Sequence, residues 1–301
     1  MKIDSLKLVN SITEYGNNNT GHYSTLLMLA IILPAILAGI VAILVTLAIE
    51  RFGGLVGGVL GTIPSTIIPA AAGVYHIDGK EGLLSSMSIV PLAMMVNGIF
   101  LGVWIILPKY ISDKKSPLFM TTIVSILTWA IFAYLALKIA DYSVSLDISP
   151  AILGISGLIC LILLSIFFNI QTRPSPKGDN KVPVLILSIR GIAAAVAIGL
   201  ALILAQIGQP LVAGLASAFP AIFLTSMVAL WISQGVTVPQ GAAAPMMLGG
   251  ASVAVYSLVV MWAIPGYGII IGSIISWIVS VGLWSAPAFL LLRKYRALSV
   301  D

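Results

Sequence analysis

Charge is what this sequence has least of. Only 8% of its 301 residues are Asp, Glu, Lys or Arg, against about 25% in soluble domains. So little polar surface cannot cover a globule in water, and a disordered chain would need more charge and far fewer apolar residues. The single cysteine, Cys160, can form no internal disulfide, which excludes a disulfide-stapled secreted scaffold. It lies in an apolar run and reads as an inert residue facing lipid or a neighbouring helix. Enzyme signatures are missing too. There is no His-Glu-x-x-His, no Gly-x-Ser-x-Gly, no P-loop lysine motif and no carboxylate pair inside an apolar run. The chain is therefore not expected to be a protease, a prenyl-type transferase or an ATP-driven pump, and no catalytic residue, cofactor or metal is assigned. The stretch from Met1 to Tyr23 is polar and holds no apolar core of a signal peptide, so none is expected to precede the first span.

What the chain has is apolar length. Apolar residues make up 59%, with 28 glycines besides, where soluble domains reach roughly 45–50% with glycine included. The runs are about 20 residues long, the length needed to cross a hydrocarbon core of about 30 Å, and too uniformly apolar for barrel strands. The expected fold is all-α, a polytopic bundle of nine transmembrane helices over 25–49, 54–75, 87–107, 118–140, 149–170, 183–206, 210–232, 244–264 and 267–292. With nine crossings, Lys2, Lys7, Lys80 and Lys138 lie on the face of the N-terminus. Arg51, Lys109, Lys114, Lys115, Arg173, Lys177, Lys181, Arg293, Lys294 and Arg296 lie on the other. Positive charge favours the cytoplasmic side, so the N-terminus is expected outside and the C-terminus in the cytoplasm. Even counts would mix the two sets. Asn18-Asn19-Thr20 fits a glycosylation pattern but lies so close to the first span that its use is not expected.

The chain also resembles itself. Leu55-Val56-Gly57-Gly58-Val59-Leu60-Gly61-Thr62-Ile63-Pro64 matches Leu211-Val212-Ala213-Gly214-Leu215-Ala216-Ser217-Ala218-Phe219-Pro220 at an offset of 156, with Leu, Val, Gly and Pro identical. Tyr75 then meets Trp231. With small slips, Ser88-Ile89-Val90-Pro91 meets Ala242-Ala243-Ala244-Pro245, and Pro108 meets Pro265. The expected organisation is an extracytoplasmic tail (1–23), a first four-span repeat (24–140), a linker holding the fifth span (141–181), a second four-span repeat (182–292) and a basic tail (293–301). An odd number of crossings between the copies makes them inverted, the arrangement of many secondary transporters.

Pro64 and Pro220 fall near the middle of the second and seventh spans. A proline donates no backbone hydrogen bond and crowds the carbonyl four residues earlier, so the carbonyls of Leu60 and Ala216 are expected to lose their partners. In lipid such a group costs several kcal/mol unless something polar meets it. Interrupted spans at matching places in two halves point to a transporter site. The substrate-binding residues expected from this pattern are Thr62, Pro64, Ser65 and Thr66 in the first copy and Ser217, Pro220 and Thr225 in the second, with Asn97 lining the same cavity. Gly61-Thr62-Ile63-Pro64-Ser65 resembles the Gly-Thr-Ser-x-Pro-Glu motif of cation/calcium exchangers, which are ten-span inverted repeats. The proline is shifted by one and the metal-binding carboxylate is missing from both copies, so a calcium site is not implied.

Arg190 stands inside the sixth span. It either snorkels to the inner headgroups, meets an anionic substrate, or pairs with Glu50 as an inner gate. His76, Asp78 and Glu81 read as a solvated loop, and the pairs Met94-Met95 and Met246-Met247 as core filler. The expected function is a secondary transporter or permease for a small solute. The alternatives are a passive channel, a lipid-handling protein and a structural subunit of a membrane complex. The expected partners are the lipid bilayer and a small-molecule or ion substrate, with no nucleic acid. Pairing into a homodimer is compatible with the sequence.

Overall fold

The computed structural model describes residues 31–33, 35–44, 46–47, 51, 59, 62–65, 67–172, 183–207 and 210–298. All regular structure among them is helical. The helices are α1 (Ile31–Leu44), α2 (Ile67–Ile106), α3 (Pro108–Ile111), α4 (Pro117–Ser145), α5 (Pro150–Gln171), α6 (Val184–Ile207), α7 (Pro210–Ser217), α8 (Ala221–Gln234), α9 (Thr237–Tyr267), α10 (Ile269–Ser280) and α11 (Ala286–Leu298). A single π-helical turn, Val281–Ser285, joins the last two. Four of these helices, α3, α4, α5 and α7, begin on a proline. There the missing N–H would have had no partner anyway, and the fixed φ suits a helix start.

Among the described residues, six stretches are long and apolar enough to cross a membrane: Asp78–Ile111, Pro117–Ser145, Pro150–Gln171, Gly214–Gln234, Thr237–Tyr267 and Ile269–Lys294. This architecture is consistent with an integral, multi-pass membrane protein. They correspond to six of the nine expected spans. Of the others, the first and sixth are represented by the shorter apolar helices Ile31–Leu44 and Val184–Val196. Most of the N-terminal half of the second lies outside the described residues, and its C-terminal half begins α2 at Ile67.

The helices sort into an inner pair and an outer ring. In their most apolar windows Asp78–Ile111 and Thr237–Tyr267 are 78% and 72% buried, whereas α4 and the α10–α11 stretch are each 22% buried. The two inner helices cross the middle of one continuous core that includes Met87, Phe100, Trp104, Met246, Met247 and Tyr256. The outer helices carry Leu127, Ile131, Leu163, Ile270 and Leu283 more than half exposed. So much contiguous apolar surface is an aggregation hazard in water and an ordinary boundary in lipid. Cys160 is exposed on this ring. Helix α5, the expected fifth span between the two copies, packs into the bundle. Gly157 sits where a Cβ would meet the backbone of Leu92 in α2, and Asn169 Nδ2 donates to the Ala244 carbonyl of α9 at 2.8 Å.

Candidate functional site

Two interruptions define the site, and they are built alike. The first spans residues 62–65 and leads into α2. The second spans 218–220, between α7 and α8. Before each, a tight turn closes on a carbonyl three residues back: Thr62 N–H donates to Val59 O at 3.3 Å and Ala218 N–H to Leu215 O at 3.1 Å. After each, a short helical arm runs to a glycine with positive φ. Gly79 has φ 65° and ψ −155°, and Gly235 has φ 82° and ψ 175°, a region that essentially only glycine visits. The three correspondences, 62 with 218, 59 with 215 and 79 with 235, all keep the offset of the repeated decapeptide. Gly268 adopts the same conformation between α9 and α10.

Counting from the two glycines corrects part of the sequence alignment. The step from Gly235 to Pro245 is shorter by two positions than the step from Gly79 to Pro91, and the helix is uninterrupted along both. Counted from the glycines, the two prolines differ by two positions. Both are buried inside their helices.

A cavity of about 490 Å³, its open mouth included, lies between the interruptions. The first contributes Thr62, Ile63 and Ser65. The second contributes Ala218, Phe219 and Pro220, with Ser217 at the end of α7. Ile67, Met94 and Asn97 of α2 line it, as do Ile222 and Phe223 of α8, Val253 of α9 and Val41 of α1. Of the residues expected from sequence, Thr62, Ser65, Asn97, Ser217 and Pro220 therefore line one cavity. Pro64 is buried but outside this lining. Thr225 also lies outside it, its hydroxyl donating to the Ala221 carbonyl at 2.8 Å. Thr66, Glu50 and the side chain of Arg190 lie outside the described residues, and so does the suggested Glu50–Arg190 pair.

The polar groups of the cavity differ in what they have left to offer. Thr62 Oγ1 donates to Val59 O at 2.9 Å. Ser217 Oγ donates to Gly214 O at 2.7 Å, which leaves its oxygen able to accept. The half-buried Ser65 hydroxyl has no hydrogen-bond partner among the described residues. Asn97 is fully engaged. Its Nδ2 donates to the Ala218 carbonyl at 2.7 Å and reaches Met94 Sδ at 3.5 Å, while its Oδ1 accepts from Trp129 Nε1 at 2.8 Å. Trp129 also sets its ring edge-on to Phe219, with centroids 4.9 Å apart.

The orphaned carbonyl is not where proline geometry alone put it. Ala216 O accepts from the Phe219 N–H at 3.0 Å, because the chain tightens into a turn before Pro220. The carbonyl in need of a donor is Ala218, two residues later, and α2 supplies it through Asn97. Leu60, the expected counterpart of Ala216, lies outside the described residues. In the first interruption the Thr62 carbonyl accepts from Ser252 Oγ of α9 at 2.8 Å. Sequence reasoning missed Ser252, Trp129 and Met94. A tryptophan within an apolar span was the available signal for Trp129. For Ser252 it was a hydroxyl one position short of the repeat counterpart of Asn97.

The crossing of α1 and α6 repeats the pattern. A Cβ on Gly39 would stand 3.4 Å from the Cβ of Ala195, its own repeat counterpart. A Cβ on Gly191 would meet Ile43 Cδ1 at 2.6 Å, and one on Gly199 would meet Ala35 Cβ at 3.7 Å. Exchanging every residue for its counterpart converts the 43–191 contact into the 35–199 contact.

Among the described residues no group of three or more His, Cys, Asp or Glu stands where it could hold a metal. No protein-family model matches the chain, and neither a curated protein nor a solved structure is significantly similar to it.

Proposed function

We propose that the chain is a secondary transporter or permease for a small solute, working by alternating access around the cavity between its two broken helices. On this reading residues 24–140 and 182–292 are inverted copies of one unit, separated by α5. The observation that carries it is a cavity bounded by both interruptions, with the inward carbonyl of each held by a donor from the other half. A helix opened at mid-depth exposes backbone groups at a cost of several kcal/mol in lipid. Two such openings facing one hollow favour a polar visitor there. Contacts that exchange with one another under the repeat offset at the α1–α6 crossing, and the like backbone conformations of Gly79 and Gly235, support a two-fold relation between the halves. Two like halves can swap conformations, which turns one cavity toward each face in turn.

Thr62, Ser65 and Ser217 would meet the solute, with the backbone around Pro220. Asn97 would hold the cavity wall instead of binding cargo, since its amide is already committed. The distribution of Lys and Arg supports an N-terminus outside and a C-terminus in the cytoplasm.

The test begins with a thermal-shift screen of the purified protein against small metabolites and ions, in which a ligand of the folded state raises the unfolding temperature by linkage. Uptake of the stabilising compound into liposomes should saturate and show counterflow. Ser65→Ala and Pro64→Ala should abolish uptake without loss of the folded protein. Flux that never saturates and shows no counterflow would mean a passive channel. Full uptake by both variants would move the site elsewhere.

A further inference from the structure

We infer that the cargo of this site is a small, neutral, amphipathic molecule, an amide or alcohol on a short apolar chain. Its chain lies against the inner wall of the cavity and its polar head between Ser65 and Ser217. Only the word cargo rests on the transporter reading; binding in the cavity does not.

The cavity changes character with depth. Its inner wall holds Ile67, Met94 and Phe223, which are 1%, 4% and 7% exposed. The buried polar side chains beside them, Thr62 and Asn97, have committed their protons. Thr62 Oγ1 donates to Val59 O, and Asn97 Nδ2 to Ala218 O and Met94 Sδ. Neither has a proton left for a ligand. Ser65, at the first interruption, and Ser217, at the end of α7, are only half-buried and stand nearer the mouth. Ser217 Oγ spends its proton on Gly214 O, so it meets a ligand as an acceptor. The Ser65 hydroxyl has no hydrogen-bond partner among the described residues and can donate or accept.

These two regions make separate demands. A chain that leaves water for the inner wall gains about three- to fourfold in affinity per buried methylene. The head must give a proton to Ser217 and meet the Ser65 hydroxyl. A neutral amide or hydroxyl does both. A carboxylate has no proton to give Ser217. An ammonium gives one, but like the carboxylate it surrenders a hydration shell that two hydroxyls do not replace.

A homologous series of ligands tests this on the purified full-length protein. Acetamide, propionamide, butyramide and valeramide are compared with butyrate and butylamine at neutral pH. Apparent affinities are read from the concentration dependence of the unfolding temperature. Each added methylene should tighten binding about three- to fourfold until the chain spans the inner wall. Butyrate and butylamine should bind at least about tenfold more weakly than butyramide. Ser217→Ala should weaken every amide about three- to tenfold and leave the dependence on chain length unchanged. Val253→Phe, which fills the cavity from α9, should abolish the stabilisation. Ile222→Trp fills it from α8 and serves if Val253→Phe does not fold.

Equal affinities along the amide series would overturn the apolar wall. Butyrate or butylamine binding as tightly as butyramide would overturn the neutral head. Stabilisation that persists when the cavity is filled would place the amides elsewhere, and no stabilisation by any amide would end the inference outright. Binding needs no flux, so the two readings fail separately. An amide that binds as described but never crosses a liposome membrane removes the transporter and keeps the site. Saturable uptake of a charged solute, with no amide bound, keeps the transporter and removes this cargo.

Discussion

The interruption at 62–65 and the one at 218–220 solve the same problem with different parts. Both leave a main-chain carbonyl facing inward at the end of a tight turn. At Thr62 a hydroxyl from α9 meets it. At Ala218 an amide from α2 meets it, backed by an indole N–H and an aromatic edge. Like geometry at the two places is thus met by unlike chemistry. Any buried donor of the right reach satisfies a carbonyl, and at the second interruption the donor amide also accepts from the Trp129 indole.

Breaking the Asn97 side, where two groups lose a partner, should cost most. Asn97→Leu strands both the Ala218 carbonyl and the Trp129 N–H and should destabilise the protein by about 2–4 kcal/mol, read from thermal or denaturant unfolding in detergent. If Ser252→Ala, which strands one carbonyl, costs as much, the two sides are not unequal. Next come the glycines that end the arms. Gly79→Ala and Gly235→Ala each force a residue with a Cβ into a conformation costing about 1–3 kcal/mol, and the two losses should match. A silent Gly235→Ala beside a damaging Gly79→Ala would end the equivalence of the arms.

Gly39→Val tests the crossing of α1 and α6, where even a Cβ would press on the Gly191 carbonyl. Its expected cost is about 1–3 kcal/mol. Ser252→Ala is expected at about 1–2 kcal/mol, near the penalty for one stranded buried acceptor. The smallest effect belongs to Trp129→Phe, about 0.5–1.5 kcal/mol for one hydrogen bond with the ring contact kept. A larger loss there would mean that Trp129 supports more than Asn97 and Phe219.

The membrane class was readable from composition, because 8% charge leaves a chain no way to face water. Helix starts at Pro108, Pro117, Pro150 and Pro210 were marked by the prolines themselves. The two interruptions were readable because Pro64 and Pro220 recur in a repeated decapeptide. The partners of the interruptions were not. Asn97 could be named because an amide in an apolar span is conspicuous, but its role as a clamp depends on 121 residues of chain folding back to bring Ala218 within 2.7 Å. Ser252 and Trp129 look like ordinary residues of ordinary spans. The sequence also suggested equivalence of Pro91 and Pro245, which the helical register from Gly79 and Gly235 does not support, because apolar stretches of low complexity align at several offsets.

Local chemistry therefore decided which stretches shun water, where prolines and glycines stop a helix, and that the same stop occurs twice. These are properties of a residue and its near neighbours, so they can be read in one dimension. Packing alone decided that the two stops would face one hollow, that each would borrow its donor from a helix distant in sequence, and that one donor would be an amide and the other a hydroxyl. A hydrogen bond between distant residues exists only once the intervening helices have crossed, and no pattern along the chain encodes the angle at which they do.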